Sequence, residues 1–495
     1  MVVGAGIAGL TSTLDLARRG AAVTVVEAAS GSGGKLRPAE VDGRLFDVGP
    51  TVLTMRAVFD DLLADVGSRL EDHLELEPAR LLARHAWADG ACLDLHADPD
   101  ATLAAIGDFA GVAEARRFAG FRQRAERIHN TLDATFMRAS RPSLTGLLRR
   151  AGIAGLPGIM AISPFRSLWQ DLGRHFRHPR LRQLFGRYAT YCGSSPFLAP
   201  ATLMLIAHVE LRGVWRIVGG MHRLATCLED RARELGATFR FDTPVATFLS
   251  HHGRITGVRL ADGTSIEADA VIFNGDQAAL AAGRLGAAGR AAVPPASRSR
   301  RSLSAQTWAW AGAVRGFDVS HHNVFFSDDY EGEFDALFRK RSLPATPTVY
   351  LCAQDRPAAA TTHPEADPER LFCLVNAPAT GDAGRPDSAE SQQCEKATFA
   401  HLARCGLQIS PDATATLRRT PLDWEQLYPA TGGALYGQAT HGWRAAFDRL
   451  GSRCRMPGLY LAGGSVHPGA GVPMAGLSGR LAATALLEDL DSNAR

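Results

Sequence analysis

The sequence predicts an α/β chain of two interleaved domains: a Rossmann-like dinucleotide-binding domain and a substrate domain of mixed sheet and helix. Three observations predict it. A glycine-patterned strand, turn and helix opens the chain; a glycine-terminated strand with a long Ala-rich helix closes it; and 495 residues exceed what one simple core holds. A hydrophobic content of 46% with 21% charged residues is that of an ordinary globular protein.

The opening element is Val2-Val3-Gly4-Ala5-Gly6-Ile7-Ala8-Gly9-Leu10. Gly4 turns the chain off the strand, Gly6 lets a pyrophosphate approach the backbone, and Gly9 lets the helix pack close to the sheet. Ile7 and Ala8 open that helix, whose free N–H groups and positive dipole end suit phosphate. A helix over 10–19 is closed by Gly20, and a strand over 22–26 ends at Glu27, placed to accept from ribose hydroxyls. The complete βαβ unit implies a bound adenine dinucleotide. Only Met1 to Val3 precede the turn, against about five residues in an ordinary strand, so a few further residues are expected before Met1.

Gly33-Gly34 follows Glu27 by a few residues, a placement typical of FAD enzymes, where the backbone passes close to the cofactor. Lys35 and Arg37 can neutralise phosphate or shield the flavin edge. Phe46-Asp47-Val48-Gly49-Pro50-Thr51 reads as a second strand ending in a tight turn, beside the isoalloxazine. From 55 to 210 the pattern is mainly helical, with apolar residues three and four apart over 59–66 and 118–132.

The net charge of +3 is unevenly spread: from Arg116 to Arg187 there are fifteen Arg and three acids. Inside lies an apolar run, 151–162, flanked by Arg149, Arg150 and Arg166. A short apolar segment rimmed by Arg suits partial insertion into an anionic leaflet, so a membrane surface of anionic lipids is an expected partner. No recognisable nucleic-acid module is present, and nucleic acid is not expected. No 18-residue apolar run exists, so a spanning helix is not expected. Eight scattered Cys without a CxxC pair fit reduced thiols. The expected location is cytoplasmic, peripherally associated with the inner membrane.

The nucleotide domain resumes at Gly213-Val214-Trp215-Arg216-Ile217-Val218-Gly219-Gly220-Met221, read as opening a helix over 223–235 that Gly236 ends. Strands are expected over 238–241, 255–260 and 265–267, with an Asp262-Gly263 hairpin turn between the last two. Val245 lies in an extended segment placed over the adenine, and 270–274 is a buried strand. A second part of the substrate domain carries strand-like runs at 308–314, 348–353 and 371–377. The closing segment is Gly458-Leu459-Tyr460-Leu461-Ala462-Gly463-Gly464, then the Gly/Pro-rich turn 465–476 with Val472, Pro473 and Met474, then a helix over 477–490. A helix N-terminus aimed at the flavin pyrimidine would stabilise the negative charge of reduction. The expected division is therefore 1–85, 213–285 and 441–495 for the FAD-binding domain, with 86–212 and 286–440 for the substrate domain.

His321-His322 carries no metal reading, because adjacent residues on a strand face opposite ways and no third ligand has suggestive spacing. No G-x-S-x-G elbow is present. The only Lys are Lys35, Lys340 and Lys396.

Taken together, the N-terminal glycines 4–34, the Gly-Val-Trp to Gly-Gly-Met element, the run 321–327 and the turn 463–476 resemble the bacterial carotenoid desaturases. These are the phytoene-desaturase-like branch of the FAD-linked amine oxidase superfamily. His467-Pro468-Gly469-Ala470-Gly471 is the most specific motif. Leu351-Cys352-Ala353-Gln354-Asp355-Arg356 and Ala430-Thr431-Gly432-Gly433-Ala434-Leu435-Tyr436-Gly437 resemble the hydroxyneurosporene desaturases, or methoxyneurosporene dehydrogenases, of purple bacteria. The resemblance implies FAD, an acyclic carotenoid substrate, and a C3–C4 double bond formed by hydride transfer to the flavin, with quinone or dioxygen as final acceptor. The alternatives are a phytoene or neurosporene desaturase of the same branch, another FAD oxidase acting on amines or porphyrinogens, and a non-enzymatic lipid-carrying binder of the same fold. No residue is marked by spacing as the base, so the catalytic residues stay unassigned.

Overall fold

Val2 and Val3 pair in parallel with Val25 and Val26 on one side and with Ile272 and Phe273 on the other. This makes β1 (Val2–Val3) the centre of a five-stranded parallel sheet. The order across it is Thr238–Arg240, β2 (Thr24–Val26), β1, Val271–Phe273 and Leu459–Leu461. Its strands are Val-, Ile- and Leu-rich because helices cover both faces. In the computed structural model, residues 1–140, 146, 165–357, 368–383, 388–409 and 415–493 are described.

α1 (Ile7–Ala17) leaves the β1 turn and is buried over all eleven residues. The C-terminal helix Val472–Asn493 lies against it. Thr11 donates its hydroxyl to the Gly476 carbonyl at 3.1 Å. A Cβ at Gly479 would stand 2.1 Å from Thr11 Oγ1 and 2.2 Å from the Ala8 carbonyl oxygen. The helices meet backbone to backbone, and their two N-termini open at the same end of the sheet.

The segment 213–221, read as leading into a helix over 223–235, first forms a strand, Val214–Ile217, paired with Leu53–Thr54 and Leu76–Pro78. The helix follows as His222–Glu234. Val245–His251, Arg254–Leu260 and Ser265–Glu267 form an antiparallel sheet, with Gly263 at φ +91° in the last turn.

A seven-stranded sheet carries the second half of the molecule. Its order is Leu417–Arg419, Ser304–Gly312, Glu369–Ala377, Val349–Ala353, His322–Phe325, Leu81–Ala86 and Cys92–His96. Trp308 and Trp310 are fully buried in it. One face of the strand end at Phe326 meets a layer of helices that includes Val112–Leu132, Leu168–His175 and Pro179–Gly186.

Two expectations are corrected. The block 55–210 is not mainly helical throughout: Leu76–Pro78, Leu81–Ala86 and Cys92–His96 are strands. Leu93 and Leu95 alternate with polar neighbours, the period of a half-buried strand. The expected boundary at 85/86 cuts Leu81–Ala86, which pairs along its length with Cys92–His96 and with His322–Phe325. The apolar run 151–162, with Arg149 and Arg150, lies outside the described residues. Among the described residues no helix is long and apolar enough to cross a membrane.

Candidate functional site

A cavity of about 930 Å³ extends from the β1 turn to the helical layer. Of the sequence-predicted residues, Gly4, Gly6, Ile7, Ala8, Glu27, Gly33, Gly34, Lys35, Val245, Gly463, Gly464, Val472, Pro473 and Met474 line it. Gly9 stands behind this wall, its amide donating to Asn274 Oδ1 at 2.9 Å. Segments from both ends of the chain thus share one chamber.

The glycines are required by contact. A Cβ at Gly6 would lie 2.9 Å from Asn274 Oδ1, and one at Gly34 would lie 3.1 Å from Gly6 Cα. The Gly33 amide donates to the Ala5 carbonyl at 2.8 Å, locking the two glycine turns together. What remains is bare backbone facing the cavity, a cradle of the kind a pyrophosphate needs. Glu27 holds its own position through backbone: Oε2 accepts from the Ala5 amide at 2.7 Å and Oε1 from the Ala29 amide at 2.9 Å. Each oxygen keeps a second lone pair for a ribose hydroxyl. The acid, the bare cradle and the helix N-termini together fit an adenine dinucleotide.

Lys35 opens onto the cavity. Its ammonium donates to the Leu435 carbonyl and lies 5.0 Å from the Tyr428 ring centroid. Burial pulls its pKa below the usual lysine value, and the nearby Asp276 opposes that shift. Gly49 makes a second forced approach: a Cβ there would stand 2.1 Å from the Lys35 carbonyl oxygen.

The far end of the cavity is mostly apolar, lined by Leu132, Phe136, Met137, Leu203, Ile206 and Val324. It also holds a polar cluster. Glu210 accepts from the hydroxyls of Tyr188 and, at 2.9 Å, Tyr191. Burial raises its carboxyl above the usual range. Arg187 stands between Tyr191 and Tyr350, its guanidinium 5.5 and 5.6 Å from their ring centroids. The Tyr350 hydroxyl is 2.7 Å from Thr51 Oγ1 and 2.8 Å from His322 Nδ1. Burial holds His322 neutral, its pKa far below the ordinary histidine value.

Sequence reasoning missed Asn274 as a site residue, as well as Arg187 and Arg449. Asn274 ends the strand Val271–Phe273, where a polar residue is unremarkable by pattern. Arg187 was one of fifteen in a basic stretch. Arg449 donates to the Gln438 carbonyl at 2.8 Å and to Thr440 Oγ1 at 3.1 Å while lining the cavity. No local signal marks either arginine.

His321 and His322 stand closer together than alternation along a strand implies. His321 precedes the strand His322–Phe325, so strand alternation does not separate the two. Their ring centroids are 4.4 Å apart, and donor atoms of His321, His322 and Cys352 lie within 4.8 Å of one another. His321 Nδ1 is paired with the Arg356 carbonyl at 2.8 Å and its Nε2 lies 3.7 Å from Cys352 Sγ, while His322 Nδ1 is paired with the Tyr350 hydroxyl.

A family model described as flavin containing amine oxidoreductase matches residues 7–487. A hydroxyneurosporene desaturase of Rubrivivax gelatinosus is 51% identical over 100% of this chain and 94% of its own. A 1-hydroxycarotenoid 3,4-desaturase of a Flavobacterium species is 29% identical over 98% of both chains. The solved structure of a redesigned putrescine oxidase aligns over 99% of this chain and 98% of its own, with TM-score 0.60 at 15% identity. That likeness shows the fold alone. The chain is an FAD-dependent oxidoreductase that belongs to the flavin-containing amine oxidoreductase family and, within it, to the carotenoid desaturases.

Proposed function

We propose that this enzyme introduces the C3–C4 double bond into acyclic carotenoids of the 1-hydroxy- or 1-methoxy-neurosporene type. One observation carries the reading: a single cavity joins a dinucleotide cradle to a deep apolar end. In this reading Gly4 to Gly9 hold the pyrophosphate, Glu27 a ribose, and Val245 flanks the adenine. Gly33, Gly34 and Lys35, with Gly463, Gly464 and the first residues of the helix Val472–Asn493, enclose the flavin. The nucleotide part is drawn from three stretches of chain, with the first boundary moved from 85/86 to before Leu81.

Bound FAD supplies a two-electron acceptor for C–H oxidation. The chain's own contribution is placement and exclusion. Leu132, Phe136, Met137 and Ile206 offer a hydrocarbon surface that matches a polyene and keeps water from the reacting carbons. The N-terminus of Val472–Asn493 brings its positive dipole end to the cavity, favouring negative charge there.

An apolar substrate reaches such a cavity from a bilayer. Phe165, Leu198 and Trp443 are exposed at 72%, 50% and 39%. Phe165 and Trp443 stack edge to face at 5.4 Å, and Gly442 hydrogen-bonds to the Leu198 carbonyl, so the three form one patch. Arg166 and Arg444 flank it. This supports peripheral attachment to anionic lipid, with a membrane quinone or dioxygen as the final acceptor.

The test is turnover. Flavin-loaded enzyme on vesicles carrying quinone and 1-hydroxyneurosporene should give a product lighter by two hydrogens and red-shifted in absorption. Unchanged carotenoid over loaded enzyme overturns the substrate reading. Equal recovery of enzyme with neutral and anionic vesicles on flotation overturns the lipid reading.

A further inference from the structure

A guanidinium is the one side-chain cation that stays charged at any accessible pH, and it carries five N–H donors. Enclosing it in an apolar cavity is expensive unless those donors find acceptors. Arg187 lines the apolar end of the cavity, yet no carboxylate lies within ion-pair distance of it among the described residues. Its hydrogen bond to protein there is a single long one, Nη1 to Tyr191 Oη at 3.5 Å.

The neighbouring acceptors are already engaged. Glu210 takes the Tyr188 and Tyr191 hydroxyls, and Glu333 takes both the amide and the hydroxyl of Thr348. The Tyr350 hydroxyl is shared between Thr51 and His322. The two tyrosine rings that flank the guanidinium hold it in place and take only one of its donors, in the long bond to Tyr191. The result is an oriented donor fork, open to the cavity and short of oxygen.

We propose that Arg187, held between Tyr191 and Tyr350, binds the oxygen at C1 of the carotenoid and selects oxygenated chain ends over hydrocarbon ones. The inference rests on the substrate reading above. A donor-only group explains why an alcohol and an ether would both be accepted, since each offers a lone pair. C1 lies two bonds from C3, so gripping its oxygen also sets which carbon pair reaches the reacting position. A hydrocarbon end leaves the guanidinium unpaired in a dry site, and sites of this kind discriminate strongly against analogues that lack the polar group. Arg187 acts here as a specificity residue.

The experiment compares kcat/KM for 1-hydroxyneurosporene and for 1,2-dihydroneurosporene, which has the same carbon chain and polyene with no oxygen, in wild type, Arg187→Met and Arg187→Lys. Flavin content is read from absorption in each. The wild-type ratio should favour the alcohol. Arg187→Met, flavin-loaded, should lower that ratio by about a hundredfold, chiefly through a raised KM for the alcohol. Arg187→Lys keeps the charge but loses the planar fork, and should lower it by about tenfold. It also carries the test should the Met variant fail to fold. A loaded variant that keeps the wild-type ratio overturns the proposal. A wild-type enzyme that turns over neither carotenoid instead overturns the substrate reading.

Discussion

The Gly9 amide donates to Asn274 Oδ1 at 2.9 Å, across a sequence separation of 265 residues. The Asn274 amide nitrogen in turn donates to the Ala462 carbonyl at 3.1 Å. One side chain therefore ties the opening turn to the strands at 271–273 and 459–461. Asn274→Ala strands a helix-terminal amide and a carbonyl in a part-buried position. It should cost about 2–3 kcal/mol of stability and lower the flavin recovered per mole of protein. Thermal unfolding with and without added FAD, together with the flavin-to-protein absorbance ratio, checks both.

Glu27→Gln is not a conservative change here. Both carboxylate oxygens accept backbone N–H groups, from Ala5 and Ala29. A carboxamide must present its NH₂ to one of them, donor against donor. We expect FAD affinity to fall by about tenfold, equivalent to about 1.4 kcal/mol. Fluorescence titration of FAD into the apoprotein measures it, and an unchanged Kd would remove Glu27 from the cofactor site.

Gly479 lies inside the helix Val472–Asn493, where alanine is intrinsically favoured by about 1 kcal/mol. Its Cβ position is 2.1 Å from Thr11 Oγ1 and 2.2 Å from the Ala8 carbonyl oxygen. Packing should overrule propensity: Gly479→Ala is expected to destabilise by about 1–3 kcal/mol and to shed flavin, because both helices begin at the cavity. A thermal midpoint at or above wild type would show that the two helices can separate at no cost.

Burial raises the Glu333 carboxyl from 4.5 to about 7, although Thr348 donates to it twice. Between those values the folded chain holds a proton that the unfolded chain has released. The stability linked to this group is fully present below about pH 4.5 and is lost as pH rises through about 7, a change of about 3 kcal/mol. The wild-type unfolding midpoint should therefore fall from pH 5 to pH 8 by more than that of Glu333→Gln. Parallel pH profiles of the two proteins would contradict the assignment.

The nucleotide cradle is legible in the sequence because its signals are local: Gly4, Gly6 and Gly9 sit within six residues, and Glu27 ends the next strand. The strand end and turn over 463–471 are legible for the same reason, although the helix that follows begins at Val472, five residues before the expected 477. The seven-stranded sheet is not, since Leu81–Ala86 is recruited by His322–Phe325 from far along the chain, and nothing near Leu81 announces its partner. Arg187 is hidden differently. Its meaning depends on the rings of Tyr191 and Tyr350 and on the acceptors it does not have, and a sequence records neither. His321 and His322 come together because His321 stands one residue before the strand His322–Phe325, a boundary that no local pattern marks.

The parallel sheet has a consequence for biosynthesis. Of its five strands the central one is made first, and Leu459–Leu461, which completes its far edge, is made last. At ordinary ribosomal speeds the two are separated by on the order of a minute. For that interval the glycine turn waits without its partner helix, exposing Val2, Leu10 and Leu14, which are fully buried in the finished molecule. The nascent chain should therefore be at its most vulnerable to aggregation and proteolysis until Leu459–Leu461 and the helix Val472–Asn493 have emerged.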